Sequence, residues 1–210
     1  MGRITGDVRI NAVRIAHISI VTEQADHQAD HEENLTLNDL TSRADAGPQW
    51  EQRLADLWAS MDSHSEEEFL ARMDRLAAEL PADNAVAVFE RAGAFDSTGH
   101  SDLAVPLYRQ ALELGLHGER RRRAVIQMAS SLRNLGRAPE SVALLTAERD
   151  AGSDHLDDAI TATLALALVD TGREREAVSI ALTALARHLP RYQRSMTNYA
   201  RMILDPVAEE

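Results

Sequence analysis

The sequence predicts an all-α fold, a right-handed solenoid of stacked antiparallel helix pairs with about nine helices. Three observations predict it. Glycines recur in register at Gly99, Gly136 and Gly172, 37 and 36 residues apart, a length that holds a helix, a turn and a second helix. Residues of matching size return around each glycine. Ala92, Ala129 and Ala165 stand seven before, Phe95, Leu132 and Leu168 four before, and Ala104, Ser141 and Ala177 five after. The composition is that of close-packed helices, 44% hydrophobic but only 4% aromatic, with alanine and leucine dominant.

The recurring unit is clearest in Phe95–Leu112, where a helix ends, the chain turns at Gly99 and a second helix runs to Gly115. Antiparallel helices approach closely only where side chains are small, so Ala92 faces Ala104 in this register. A leucine at Ala165 or Ala177 should strain that contact, and Ala167 lies off the line. Glycine at the turn permits the backbone conformation that stops the first helix. Three departures stand out. Arg91 replaces an apolar residue, Glu148 a small one (as at Ala111), and Ala181 a large one (as at Tyr108). The second helices of repeats two and three are therefore expected to pack differently.

In chain order, residues 1–47 form an N-terminal extension that the composition predicts to be disordered or weakly structured. Val8, Ile10, Val13, Ile15, Ile18 and Ile20 give a broken two-fold alternation, a weak strand signal, followed by the acidic stretch TEQADHQADHEEN. Gly47-Pro48 opens the helical domain, expected over 48–205. A first pair over 49–80 places Trp50, Leu54, Leu57 and Met61 on one helix face. Ser65 with Glu68 then forms a capping-box pattern, and Phe69, Met73, Leu76 and Leu80 form a second face. Repeats follow over 84–115, 118–152 and 153–189. Pro106 should bend its helix slightly, and Pro139 sits in a first turn. A terminal helix over 190–205, with Tyr192, Met196, Tyr199 and Ile203 on one face, covers the end of the stack, and 206–210 is a tail.

Composition excludes several functions. There are no cysteines, so thiolate chemistry and cysteine–zinc sites are absent. A net charge of −12 argues against non-specific nucleic-acid binding. No stretch approaches a membrane span, and Ile15–Val21 is too short for a signal peptide, so the expected location is cytoplasmic. His27 and His31 are spaced for a metal on a helix, but no third ligand accompanies them. His64, His100, His117, His155 and His188 stand alone at predicted turns and helix ends, and His188 is expected to meet terminal carbonyls. Asp157–Asp158 reads as a pair of first-turn acids opposing a helix dipole. No nucleophile elbow, phosphate loop or paired carboxylates emerge. The expectation is no enzyme, no cofactor and no metal.

The repeat resembles the tetratricopeptide repeat. Its longer period, with SSLRNLG at Ser130–Gly136 and HLPRYQRSMTNYA at His188–Ala200, resembles the bacterial group-five family of that repeat over about Trp50–Leu204. The resemblance implies a concave groove lined by fixed positions on each first helix. Carried over by the glycine register, these are Val86, Phe89, Gly93 and Asp96, then Arg123, Ile126, Ser130, Arg133 and Asn134, then Ala159, Ala162, Leu166 and Val169. Gln127 falls on the same side as Arg123 and Arg133. The implied function is a non-catalytic protein- or peptide-binding scaffold, with partner contacts at Phe89, Arg123, Gln127, Ser130, Arg133, Asn134 and Leu166. Arg120–Arg123 places four cations at a helix start, against the helix dipole. Either they are a solvated start paired with acids of neighbouring repeats, or they mark a basic patch for an acidic partner. The alternatives are homo-oligomerisation through the groove or terminal helix, and an uncharacterised enzyme.

Overall fold

The computed structural model describes residues 46–205. Those residues are all-α, with nine α-helices, one 3-10 turn and no strand among them. The strand signal of residues 8–20, and His27 with His31, lie outside the described residues. Two compact units divide the chain, one ending at Arg120 and the other beginning at Arg121. Among the described residues, one apolar cluster is built around Trp50 and another around Leu145.

The first unit contains helices α1 (Pro48–Ala59), α2 (Glu66–Ala77), α3 (Ala85–Ser97) and α4 (Ser101–Glu113). Its core is aromatic. Trp50, Leu54, Trp58, Phe69, Met73 and Leu76 pack with Ala46 and Ala94, so the buried chain begins two residues before Pro48. Both indoles are satisfied, Trp50 Nε1 donating to the Leu76 carbonyl and Trp58 Nε1 to Glu90, each at 2.9 Å. Ser65 caps α2 by accepting from the Glu68 N–H at 3.2 Å. The Glu68 side chain pairs with Arg72 at 2.7 Å, so this half of the capping box is the one that forms. Asn84 caps α3 through bonds from the Val86 and Ala87 amides. Arg91, the first departure from the pattern, lies at the surface and pairs with Asp74 of α2 at 2.7 Å. α4 runs unbroken through Pro106.

The second unit contains α5 (Gly118–Asn134, whose first turn belongs to the first unit), α6 (Ala138–Ala151), α7 (Asp157–Asp170), α8 (Glu174–Ala186) and α9 (Gln193–Met202). Its core is aliphatic: Ala129, Leu145, Ile160, Leu164, Ala165, Leu168 and Ala177. α9 starts three residues after Pro190, behind Tyr192, whose φ of 69° is left-handed. It packs through Ala200, and the Ser179 hydroxyl of α8 donates to the Ala200 carbonyl at 2.7 Å.

The repeat register appears in the backbone as a recurring hydrogen-bond pattern. Gly99, Gly136 and Gly172 adopt φ of 92°, 75° and 76°, a region closed to most side chains. After each glycine, the next N–H returns to the carbonyl five residues back. These bonds are His100 to Phe95 at 2.9 Å, Arg137 to Leu132 at 2.8 Å and Arg173 to Leu168 at 2.9 Å. This is the long closing bond of a Schellman turn, and it occurs also after Gly115, where the Leu116 N–H returns to the Ala111 carbonyl at 3.0 Å. The small-residue pairs Ala92 with Ala104, Ala129 with Ser141, and Ala165 with Ala177 are all buried. Ala167 is buried as well, at 0% exposure against 8% for Ala165. It is not the off-line position the register implied, because α7 buries a face wide enough to include it.

Candidate partner-binding surface

The run Arg120–Arg123 lies in the first turns of α5. In the first unit Arg120 forks onto Glu51 at 3.0 and 2.5 Å and bonds to buried Glu90 at 3.2 Å. Burial pulls its pKa down, but the two carboxylates more than offset this, so the guanidinium is held charged and its pKa is raised. In the second unit Arg121 meets Glu148 at 2.7 Å. Arg122 is buried and reaches Asp154 at 2.9 Å, Asp157 at 2.7 Å and the Gly152 carbonyl at 3.2 Å, with Glu148 at 3.8 Å. A bond from the Ser153 hydroxyl, then one from the Asp154 amide, and the Arg122 guanidinium hold the Asp157 carboxyl below the usual aspartate range. Three of the four cations are thus bound to carboxylates of their own unit. Of the two readings, pairing with acids is the one these three follow, although Arg122 is buried and not solvated. Glu148, the departure in repeat two, is the acid that two of them need. Asp157 does more than oppose a helix dipole.

The predicted contact residues separate by burial. Phe89 is 0% exposed and stacks at a tilt on Tyr108, with ring centroids 6.0 Å apart. It is core of the first unit and offers no surface. Gln127 is likewise buried. Arg123, Ser130, Arg133 and Asn134 are half-buried along α5, and the Arg133 guanidinium is held by Asp170 at 2.8 Å. Leu166 is 51% exposed. On α7 it continues a stripe of Ala159, Ala162, Leu166 and Val169, all exposed, spaced to share one face. Ile160, Leu164 and Leu168 fill the opposite side. Asp170 follows Val169, so the Arg133–Asp170 pair fixes the end of α5 beside the end of that stripe.

His188 meets a carboxylate, Asp158 at 2.8 Å, where terminal carbonyls were expected. His100 meets Glu66 at 2.6 Å. Among the described residues no cluster of His, Asp and Glu has the makings of a metal site, and no helix is long and apolar enough to cross a membrane. Val178, Leu185 and Met202 of the last two helices are exposed apolar residues without a predicted role, and Tyr199, expected on the covering face of the terminal helix, is exposed as well.

Paired helices closed by one repeated turn, with an apolar first-helix face left open, define a helical-repeat protein. The family model described as Tetratrico peptide repeat matches residues 85–203, and the chain belongs to that family, in the group-five form its repeat length indicated. No curated protein and no solved structure matches it.

Proposed function

We propose that the chain is a non-catalytic scaffold that binds a polypeptide segment on the first helices of repeats two and three. The observation that carries this is the α7 stripe. Soluble proteins rarely leave contiguous apolar surface uncovered without using it, and here it lies on the helix that faces the ligand in this family's mode of recognition. The partner places apolar side chains on Ala162, Leu166 and Val169. Its polar backbone or side chains meet Arg123, Ser130 and Asn134 of α5. Because Arg133 is already neutralised by Asp170, apolar contact dominates and charge orients the ligand. An acidic segment remains the favoured chemistry, since the α5 strip carries no carboxylate of its own between Arg120 and Asn134.

The test is affinity capture with the full chain, identification of the retained protein, and calorimetric titration against two variants. Leu166→Asp should abolish binding, while Arg133→Glu should weaken it by about tenfold or less, in line with one partly exposed ion pair. Equal binding by Leu166→Asp and wild type would remove the stripe from recognition.

A further inference from the structure

Of the eleven exposed large hydrophobics among the described residues, eight lie from Leu166 to Leu204. Four of them belong to α9 and its flanks, with Tyr192 at 75%, Tyr199 at 61%, Met202 at 58% and Leu204 at 48% exposure. A helix that closed a stack of repeats against water would present a polar outer face, and this one presents tyrosines and a methionine. The cations of α9 also differ from those of the arginine run. Among the described residues Arg191, Arg194 and Arg201 are exposed and make no ion pair. Arg187, at the end of α8, is by contrast bound to Asp158. From Pro190 to Leu204 there is no carboxylate, and Asp205 is the first. Arg194 and Arg201, two turns apart, share one side of the solvent face. Tyr199 and Met202 lie toward the other. An open depression of about 590 Å³ at the start of the helix is lined by Pro190, Arg191, Tyr192, Arg194 and their neighbours.

The chain carries −12 overall, so a cationic, aromatic surface is a local inversion of its field. The complementary sequence is in the same protein. Glu23–Glu33 contains Glu23, Asp26, Asp30, Glu32 and Glu33, and no arginine or lysine occurs between Arg14 and Arg43. We propose that α9 is a docking surface for the acidic run Glu23–Glu33 of a second copy of this chain, and that two copies exchange these runs reciprocally. Opposite charges then meet across the contact. Two such surfaces placed face to face would instead bring the arginines of both copies together, which the like-charge cost opposes. Reciprocal exchange closes a two-fold dimer, and the second contact forms at the high effective concentration set by the first. The hydroxyls of Tyr192 and Tyr199 offer donors to carboxylates, and their rings offer apolar cover to Ala25 and Ala29 of the run.

The test is sedimentation equilibrium of the full chain at low and moderate salt. Wild type should be a monomer–dimer system that shifts toward monomer as salt rises. Arg191→Glu/Arg194→Glu/Arg201→Glu should weaken dimerisation by about tenfold or more. At a concentration where wild type is monomeric, its thermal midpoint should not change, because no ion pair with a described residue is lost. Replacing the five carboxylates of the run by Gln or Asn should weaken dimerisation equally, and converting them to Arg should restore it in the presence of the triple glutamate variant. Leu166→Asp should leave dimerisation untouched, which separates this surface from the α7 stripe. A wild type that is monomeric at every concentration overturns the proposal. So does a dimer insensitive to the arginine changes, or one that responds to them but not to changes in the acidic run.

Discussion

The two units bury their chains by different means. In the first, Trp50, Trp58, Phe69, Phe89 and Tyr108 are all buried, and Trp58 lies 5.3 Å from Phe69 between ring centroids. In the second, no buried side chain is aromatic among the described residues. Leucine, isoleucine and alanine fill its core, and a charged cluster around Arg122 ties α5, the end of α6 and the start of α7 together. Large rings bury much area per residue, and they leave few apolar side chains over for the surface. Small aliphatic residues fill thin helix-to-helix gaps, and the surplus of leucine, valine and tyrosine faces outward. Exposed apolar residues therefore gather in the unit with the leaner core.

The largest effects should expose that contrast. Phe69→Ala empties an aromatic site and should cost about 3–5 kcal/mol, while Leu145→Ala at the centre of the aliphatic core should cost about 2–5 kcal/mol. Hydrogen exchange, read separately for each unit, checks where each loss falls. If Phe69→Ala lowers protection in α6–α8 as much as in α1–α3, the division into two units fails.

Next comes the charged cluster. Glu148→Ala leaves Arg121 without its acid and Arg122 with only Asp154 and Asp157. Removing one partner of a buried pair is costly, about 3 kcal/mol when no other acid remains, so a loss of about 2 kcal/mol is expected from denaturant titration. A loss indistinguishable from that of an exposed pair such as Arg173 with Glu176 would show that the cluster contributes nothing special.

Overpacking of α7 comes third. Ala165→Leu and Ala167→Leu should each destabilise by about 1–3 kcal/mol, with Ala167 at least as costly because no part of it is exposed. Thermal melts of the two variants decide. A harmless Ala167→Leu would place that residue outside the core.

The smallest effect is acid sensitivity. The folded-state pKa of Asp157 lies below its unfolded value, so its contribution is fully present above the ordinary aspartate pKa. It is lost as pH falls through the lowered folded value. The melting temperature should decline over that acid range, and Asp157→Asn should flatten that part of the profile. An unchanged profile would mean that the carboxylate does not report on folding.

Much of this was legible in the sequence, and the gaps have physical causes. The turn glycines were readable because left-handed backbone selects one residue type, and α1 through α4 followed from helical periodicity. Phe89 was read as a ligand contact because register assigns a position to a helix face without saying how deep that face lies. Tyr108, on the next helix, covers it. The arginine run drew attention as a patch because its acids stand far along the chain. Glu148 lies 27 residues from Arg121, and Asp157 lies 35 from Arg122. The sequence showed Glu148 and the arginines as two separate anomalies, and in the structure each is the reason for the other.

The three matching turns also bear on how such a chain can lengthen. Each is closed by bonds within six consecutive residues, and asks nothing of the rest of the molecule to terminate its helix. The stretch from Gly99 to Gly136 is therefore a cassette with interchangeable ends. A duplication cut at those glycines would join one finished turn to the start of another helix, with no junction to invent.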